Sequence, residues 1–488
     1  MRSCILLIQI LAIDFGASSG RAVLGRFDGK RITLHEIKRF SNDPVAVHGT
    51  LYWDVLRLFY EIKESIVIAT KTYGDIDSIA VDTWGVDFGL LNEAGELIQN
   101  PVHYRDVRTR GIVGELFKKL PKEEGYSITG NQIMEFNTAF QLMSVIKNKP
   151  YLMEQARHLL FMPDLFNYFL TGVMQTEETI ASTSQLYDIS QKAWSPKIIE
   201  AIGIPNILGK PVKSGTIIGQ TAESLNQELG IAKPIDVIAV CSHDTQSAIV
   251  AVPTEQEDFV YLSCGTWSLL GTEMDLPILD KKSMDYNITN EACYGGKVSF
   301  LKNITGLFIL SECKKQWERE GTGTLHKDPL HKDLLSYEEL SQLAEQYDGF
   351  DTVIDPEDPL FAEIGNMPKN IRDYCERTDQ QPPTEIGQYV RCVYESLGIT
   401  YRRALADIED CTGKTYPTIY MVGGGSRSSL FCRIIAKTTG RKVVSGPAEA
   451  TILGNMLVQL MSKGHVKDVV QAREIVRVSE EITTYSNS

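Results

Sequence analysis

The sequence predicts an α/β protein made of two similar lobes. Three observations carry that expectation. The chain opens on a β-meander bent at a glycine turn, Ile13-Asp-Phe-Gly-Ala-Ser-Ser-Gly-Arg-Ala-Val-Leu-Gly25. The same strand, small-residue turn, strand pattern returns half a chain later at Phe259-Val-Tyr-Leu-Ser-Cys-Gly-Thr-Trp-Ser-Leu-Leu-Gly271. Apolar strands elsewhere end on acidic or small residues and run into helical patterns, as at 236–245 and 418–438.

Composition sets the frame. Of 488 residues, 43% are hydrophobic and 23% charged, which is a globular balance. The length fits about three domains or two large α/β ones. With 49 Lys+Arg against 63 Asp+Glu the net charge is −14, which argues against a nucleic-acid partner. An anionic ligand remains compatible, because backbone amides hold phosphates without net positive charge. The nine cysteines are scattered without a C-x-x-C pair, so no zinc knuckle is expected and a reducing cytoplasm fits. His326 and His331 lie five apart in a charged loop, a spacing that argues little for a metal. The apolar run 4–13 is broken by Gln9 and leads straight into Asp14, so a buried first strand explains it better than a signal peptide. No stretch approaches the ~18 apolar residues of a membrane span.

In order, the pattern predicts strands at 8–15, 21–27 and 32–40, with a hairpin turn at Asp28-Gly29. A helix straight after the glycine turn, which a dinucleotide-binding βαβ unit needs, is missing from the pattern. A helix is expected over 55–70, a strand over 78–82, and a mostly helical stretch over 100–235. A strand at 236–240 then runs into Cys241-Ser-His-Asp-Thr245 and a helix over 246–252. The polar stretch 314–384 reads as a surface excursion. A long helix over 385–409, a strand over 418–422, Gly423-Gly-Gly-Ser-Arg427, a helix over 429–438 and a last helix over 448–462 complete the chain.

Several sites can carry chemistry. Gly413-Lys414-Thr415 fails as a phosphate-binding loop, since Ile408 stands where the motif needs glycine and a helix precedes it. At the first turn, glycines permit close backbone approach, and Ser18, Ser19 and the turn amides can donate to phosphate oxygens. Asp14 can hold a hydrated Mg²⁺ there, and Arg21 adds positive charge. A tight turn with a solvated arginine is the plain alternative. Gly265 and Thr266 form the mirror candidate. Asp244, after a buried strand, is either a helix N-cap or the acceptor of a substrate hydroxyl proton. His243 reads as a positioner rather than the base. Gly423-Gly424-Gly425 is either a close-packed turn or a place for a flat or anionic group. Asp82, Trp84, Gly85 and Asp87 can line a polar pocket, although Trp84 fits the core equally well. Arg105, Asp106 and Arg108 can meet sugar hydroxyls or pair among themselves.

Taken together the motifs resemble the FGGY carbohydrate kinases. The matching stretches are Asp14–Arg21, Asp82–Phe88, Tyr104–Asp106, Met162–Asp164, Ser242–Thr245, Ser263–Ser268, Asn287–Glu291, Leu301–Gly306 and Val422–Gly425, in order over nearly the whole length. The resemblance implies the two-lobed actin-like ATPase fold with a deep cleft, a sugar-binding lobe over 1–247 and a nucleotide-binding lobe over 248–488. It implies transfer of the γ-phosphoryl of ATP to the 1-hydroxyl of L-rhamnulose, with Mg²⁺; another ketose, such as L-fuculose or xylulose, is the alternative acceptor. A silent actin-like sugar sensor is the alternative of another class. By the same resemblance Asp244 is the catalytic base. Ala17, Ser18, Ser19, Gly20, Arg21 and Thr266 contact the phosphates, Gly424 lies against the adenosine, and Gly85, His243, Thr245 and Asn303 line the sugar site. Two positions depart from the family. Ser311 stands where relatives place a glutamine near the adenine, and is too short for the same contact. Cys264 replaces a serine in a turn whose backbone does the binding. The partners implied are sugar and ATP alone, in a cytoplasmic protein; the oligomeric state is not legible.

Overall fold

The computed structural model describes residues 7–17, 19–321, 335–362 and 364–486. Ser18, His326 and His331 therefore lie outside the described residues, as does the start of the chain before residue 7. Contacts divide the chain into two compact units. One comprises Met1–Glu255, Glu273–Phe300 and Ala450–Glu480; the other comprises Gln256–Thr272, Leu301–Glu449 and Glu481–Ser488. These units interleave along the chain, whereas a single cut near 247 is continuous.

In the first unit β1 (Ile8–Phe15) is almost wholly buried, as its apolar run requires for a central strand. It pairs antiparallel with β2 (Ser19–Phe27), which pairs antiparallel with β3 (Ile32–Ser41). On its other side β1 pairs in parallel with the strand Ser78–Thr83. That strand pairs in parallel with Asp236–Ala239, and Thr216–Gln220 closes the six-stranded sheet. The helix α1 (Val55–Tyr73) starts where the Asp54 carboxylate accepts the Arg57 N–H and runs three residues beyond the expected end at 70, to the cap at Gly74.

The second unit carries most of a seven-stranded sheet. Val260–Cys264 pairs antiparallel with Trp267–Met274 and in parallel with Thr418–Val422, which pairs in parallel with Lys442–Ser445. The expected duplication is therefore visible in the strand arrangement. In each unit a parallel pair adjoins the first arm of a glycine hairpin, and a further strand flanks the second arm. The helix Ile386–Thr412 begins in a capping box between Glu385 and Gln388 and ends at left-handed Gly413. The polar excursion holds its own helices, Tyr337–Glu345 and Met367–Arg377, the latter capped by Asn366.

Other boundaries differ from the sequence reading as well. The second strand begins at Ser19, because the turn closes through Gly16 N–H to the Ser19 carbonyl at 2.9 Å. The last helix starts at Ala450 rather than 448. The helix after His243 is Asp244–Val250 rather than 246–252. It crosses the helix Ala450–Ser462 at Gly454, where a Cβ would stand 1.7 Å from the Ser247 carbonyl oxygen. Only hydrogen fits there, so the backbones touch.

Candidate active site

Strand register builds the acidic part of the site. Asp14 stands opposite Arg21 on β2 and opposite Asp82 on the strand Ser78–Thr83. Asp14 is therefore flanked by a cation on one side and a second acid on the other. Arg21 donates to Asp14 Oδ2 from Nε at 2.9 Å and from Nη2 at 2.8 Å. The guanidinium is thus tied to Asp14, not left as a solvated side chain. One strand further on, Thr83 bridges to His243, and its N–H donates to the Ser242 carbonyl at 2.9 Å. That link carries the segment 242–245 up to the acidic pair.

Asp82 is fully buried. Its Oδ2 accepts from Asn455 Nδ2, while Oδ1 has no hydrogen-bond partner. Burial, and then the neighbouring Asp14, hold its carboxyl well above the usual range. Asn455 is itself held: its Oδ1 accepts from Gln459 Nε2 at 2.7 Å, Gln459 Nε2 also donates to the Leu11 carbonyl, and Ser78 Oγ donates to Gln459 Oε1 at 2.7 Å. The close crossing at Gly454 thus seats a polar ladder against the strand ends.

Asp244 is the first residue of its helix, and the N-cap position belongs to His243, whose side chain makes no cap bond. The N-cap reading of Asp244 is therefore not realised. Its Oδ1 instead accepts from the N–H of Thr245 at 2.6 Å and from Thr245 Oγ1 at 3.2 Å. The side chain keeps 27% exposure, so one end of the carboxylate stays available. Burial raises its pKa to about 6, with nearby Asp14 pushing the same way and His243 opposing. The loop is pinned from below by Glu177. Its Oε2 accepts the Ser242 N–H at 3.2 Å and the Thr179 N–H at 2.9 Å, and Thr179 Oγ1 accepts the His243 N–H at 3.2 Å.

The wall after Asp82 is a buried network around Asp87. Its Oδ2 accepts from Trp53 Nε1 at 2.6 Å, Trp84 Nε1 at 3.0 Å and the Tyr104 N–H at 3.1 Å, and its Oδ1 accepts from Gln141 Nε2 at 2.9 Å. Trp84 is buried and packs against Trp53 in a tilted pair with centroids 4.0 Å apart, so its core role holds together with a polar one. Gly85, between them, faces Thr183, 3.2 Å from where a Cβ would sit. Asp106 accepts the N–H groups of Leu51 and Arg108, and Arg108 reaches Gln141 at 2.6 Å. That trio is built into the wall rather than paired on the surface.

In the second unit the turn Gly265–Thr266 bends between its two strands, and the carbonyls of Gly265 and Thr266 accept the N–H groups of Leu307 and Phe308. Thr266 is half-buried and Gly265 exposed. The three glycines after Val422 have different reasons to be glycine. Gly423 has φ 84°, and a Cβ would lie 2.9 Å from the Cys264 carbonyl oxygen. A Cβ on Gly425 would meet Cys264 Sγ at 2.5 Å, whereas one on Gly424 meets nothing within 4 Å. Packing explains the outer two; Gly424 is exposed with open space before it. Ser311 is half-buried on the helix Phe308–Glu320 and Asn303 half-buried on the strand Val298–Thr305.

Thus Asp14, Arg21, Asp82, Gly85, His243, Asp244 and Thr245 belong to the first unit, and Thr266, Asn303, Ser311 and Gly424 to the second. Sequence reasoning missed Glu177 and Asn455 and gave Glu291 no role, although it closes the family-matching stretch Asn287–Glu291. Glu177 sits in an ordinary polar stretch, and Asn455 lies on the buried face of an apolar helix. Among the described residues no group of three or more His, Cys, Asp and Glu side chains is arranged to hold a metal directly. The unpartnered Oδ1 of Asp82 beside Asp14 fits a hydrated divalent ion, which is held through few carboxylates and the substrate's phosphates.

The family model for the FGGY carbohydrate kinase N-terminal domain matches residues 9–251, and that for the C-terminal domain matches 260–462. The chain is 38% identical to the rhamnulokinase of Bacteroides thetaiotaomicron, covering 98% of this chain and 95% of that one. It is 36% identical to the rhamnulokinase of Oceanobacillus iheyensis, covering 98% of both. Among solved structures, a gluconate kinase from Lactobacillus acidophilus superposes with a TM-score of 0.78 at 16% identity over 99% of this chain and 94% of that one. Plasmodium falciparum glycerol kinase with ADP gives 0.74 at 17% identity over 98% and 94%. These structures share the fold, the two-lobed actin-like ATPase architecture of sugar kinases. The chain belongs to the FGGY family of carbohydrate kinases.

Proposed function

We propose that this protein transfers the γ-phosphoryl of ATP to the 1-hydroxyl of L-rhamnulose, giving L-rhamnulose 1-phosphate and ADP, as a cytoplasmic enzyme. The observation that carries the chemistry is the setting of Asp244: a partly open carboxylate at the end of a buried strand, released from capping duty and flanked by His243 and Asp14. The near-full-length similarity to rhamnulokinases supports the acceptor.

In this reading Asp244 accepts the proton of the 1-hydroxyl as the phosphoryl leaves ATP. A pKa of about 6 keeps it ionised at neutral pH. A loose transition state asks for positioning and charge neutralisation more than for a strong base. Ala17 to Arg21 and Thr266 bind the phosphates, Gly424 borders the adenosine and Ser311 lies near the adenine. Gly85, His243, Thr245 and Asn303 hold the sugar. The sugar is assigned to 1–247 and the nucleotide to 248–488. Asp14, with Asp82 beside it, would hold Mg²⁺ through water, and the ion would offset phosphate charge.

A panel of ketoses and polyols, assayed for ADP release with ATP and Mg²⁺, tests the reading. L-rhamnulose is expected to give the highest kcat/KM. A higher value for L-fuculose or xylulose would move the assignment within the family. Sugar binding without ADP release from any acceptor would replace it with a sensor.

A further inference from the structure

His243 stands between two carboxylates. Its Nδ1 lies 3.1 Å from Glu291 Oε2, and its Nε2 lies 3.6 Å from Asp244 Oδ1. We propose that Glu291 is a positioning residue for the phosphoryl transfer, holding His243 as an imidazolium beside the base. The proposal rests on the reading of Asp244 as that base.

The placement of Glu291 is over-determined. It lies on the strand Thr289–Ala292, 4% exposed. Its neighbours are fixed on both sides: Asn290 N–H donates to the Gly130 carbonyl at 2.8 Å, and Ala292 N–H donates to Ser182 Oγ at 2.9 Å. Its own Oε2 accepts from Gln246 Nε2 at 3.0 Å, and Gln246 lies in the first turn of the helix that Asp244 opens. The carboxylate is thus aimed at the imidazole by both the strand and the helix.

The chemistry follows from what each group can offer. A carboxylate is an acceptor on every oxygen, and neutral imidazole has one N–H. Neither approach is a formed hydrogen bond, but negative charge 3.1 Å from one ring nitrogen and 3.6 Å from the other favours the ring that carries both protons. A buried carboxylate also needs a compensating positive charge, and here the imidazolium supplies it. The acids facing the ring come from three elements: Glu291 on its strand, Asp244 at the helix start, and Glu177 just ahead of the helix Glu178–Ser182. Burial alone would lower the affinity of His243 for its proton, but Glu291, then Asp244 and Glu177, outweigh it and push the pKa up. The retained charge in turn opposes the burial and the Asp14 repulsion that favour protonation of Asp244. Glu291 does not touch the reacting atoms; it acts on the base through one imidazole ring.

The test combines two readouts. Imidazole resonances of the full-length protein are titrated by NMR, with His243 assigned by its loss in His243→Gln. In the wild type His243 is expected to hold its proton above the ordinary ~6.5. In Glu291→Gln, which keeps the shape and loses the charge, the titration is expected to fall by about one unit, while Glu291→Asp restores much of it. In parallel, the acid limb of kcat/KM for L-rhamnulose moves to higher pH in Glu291→Gln, with an activity loss about tenfold greater at pH 6 than at pH 8 and an unchanged KM for ATP. A wild-type His243 that titrates at or below the ordinary range overturns the proposal even if the variant fails to fold. So does a Glu291→Gln profile that superposes on the wild type. A wild type that phosphorylates no sugar defeats the reading of Asp244 instead, and the titration then reports on the Glu291–His243 pair alone.

Discussion

Where β1 ends in Asp14-Phe15, the corresponding strand of the second unit ends in Ser263-Cys264. Asp14 faces Arg21 across its hairpin and Asp82 on the neighbouring strand. Cys264 faces Ser268, whose hydroxyl meets the Tyr401 hydroxyl at 2.6 Å, and the glycines of 423–425 close over it. One strand arrangement is used in two ways. The first unit places ionisable side chains at its strand ends and accepts the cost of burying them, offset by ladders such as Asn455–Gln459 and by the Arg21 pair. The second keeps its strand ends small and uncharged, leaving backbone turns and one open glycine.

That contrast can be broken by substitution, starting where the effect is greatest. Gly454→Val forces a side chain into the Ser247 carbonyl, and is expected to cost more than about 3 kcal/mol and to abolish a cooperative thermal transition of the first unit; a normal melt would mean that the helix crossing is not essential. Asn455→Ala leaves the Asp82 carboxyl without its remaining partner, at about 1–3 kcal/mol by calorimetry. On the other side, Gly425→Ala collides with Cys264 Sγ and is expected to lower stability. Gly424→Val, with open space before it, should leave the melt unchanged and raise the KM for ATP several-fold. Equal effects of the two glycine variants on ATP would remove the distinction between packing and approach. The smallest effect is in pH. With Asp244 as the proposed base, its carboxyl pushed up to about 6 by burial, kcat/KM is expected to hold between pH 7 and 8 and to fall tenfold per unit below about pH 6.

Much of this was legible in the residues themselves. The glycine hairpins, the strand ending at Asp82 and the placement of Asp244 after a buried strand all follow from local pattern. Arg21 did not, because its partner is fixed by register across the hairpin, and a turn with a solvated arginine looks the same in sequence. The cap reading of Asp244 is not realised: the loop ahead of it is held by Glu177 and Thr179, and the helix starts at Asp244 itself, one residue earlier than a cap at that position would set it. Glu291 and Asn455 come from 47 and 211 residues downstream of Asp244 by their own numbering, and only tertiary contact gives them a role. Of the three glycines after Val422, sequence alone could not tell which one packing leaves free.

The most direct measurement is on Asp244→Asn. ATP and L-rhamnulose affinities are followed by calorimetric titration and turnover by ADP release. The account expects both ligands to bind within a few-fold of wild type while kcat falls by about 10²–10⁴. Near-normal turnover in that variant would contradict it.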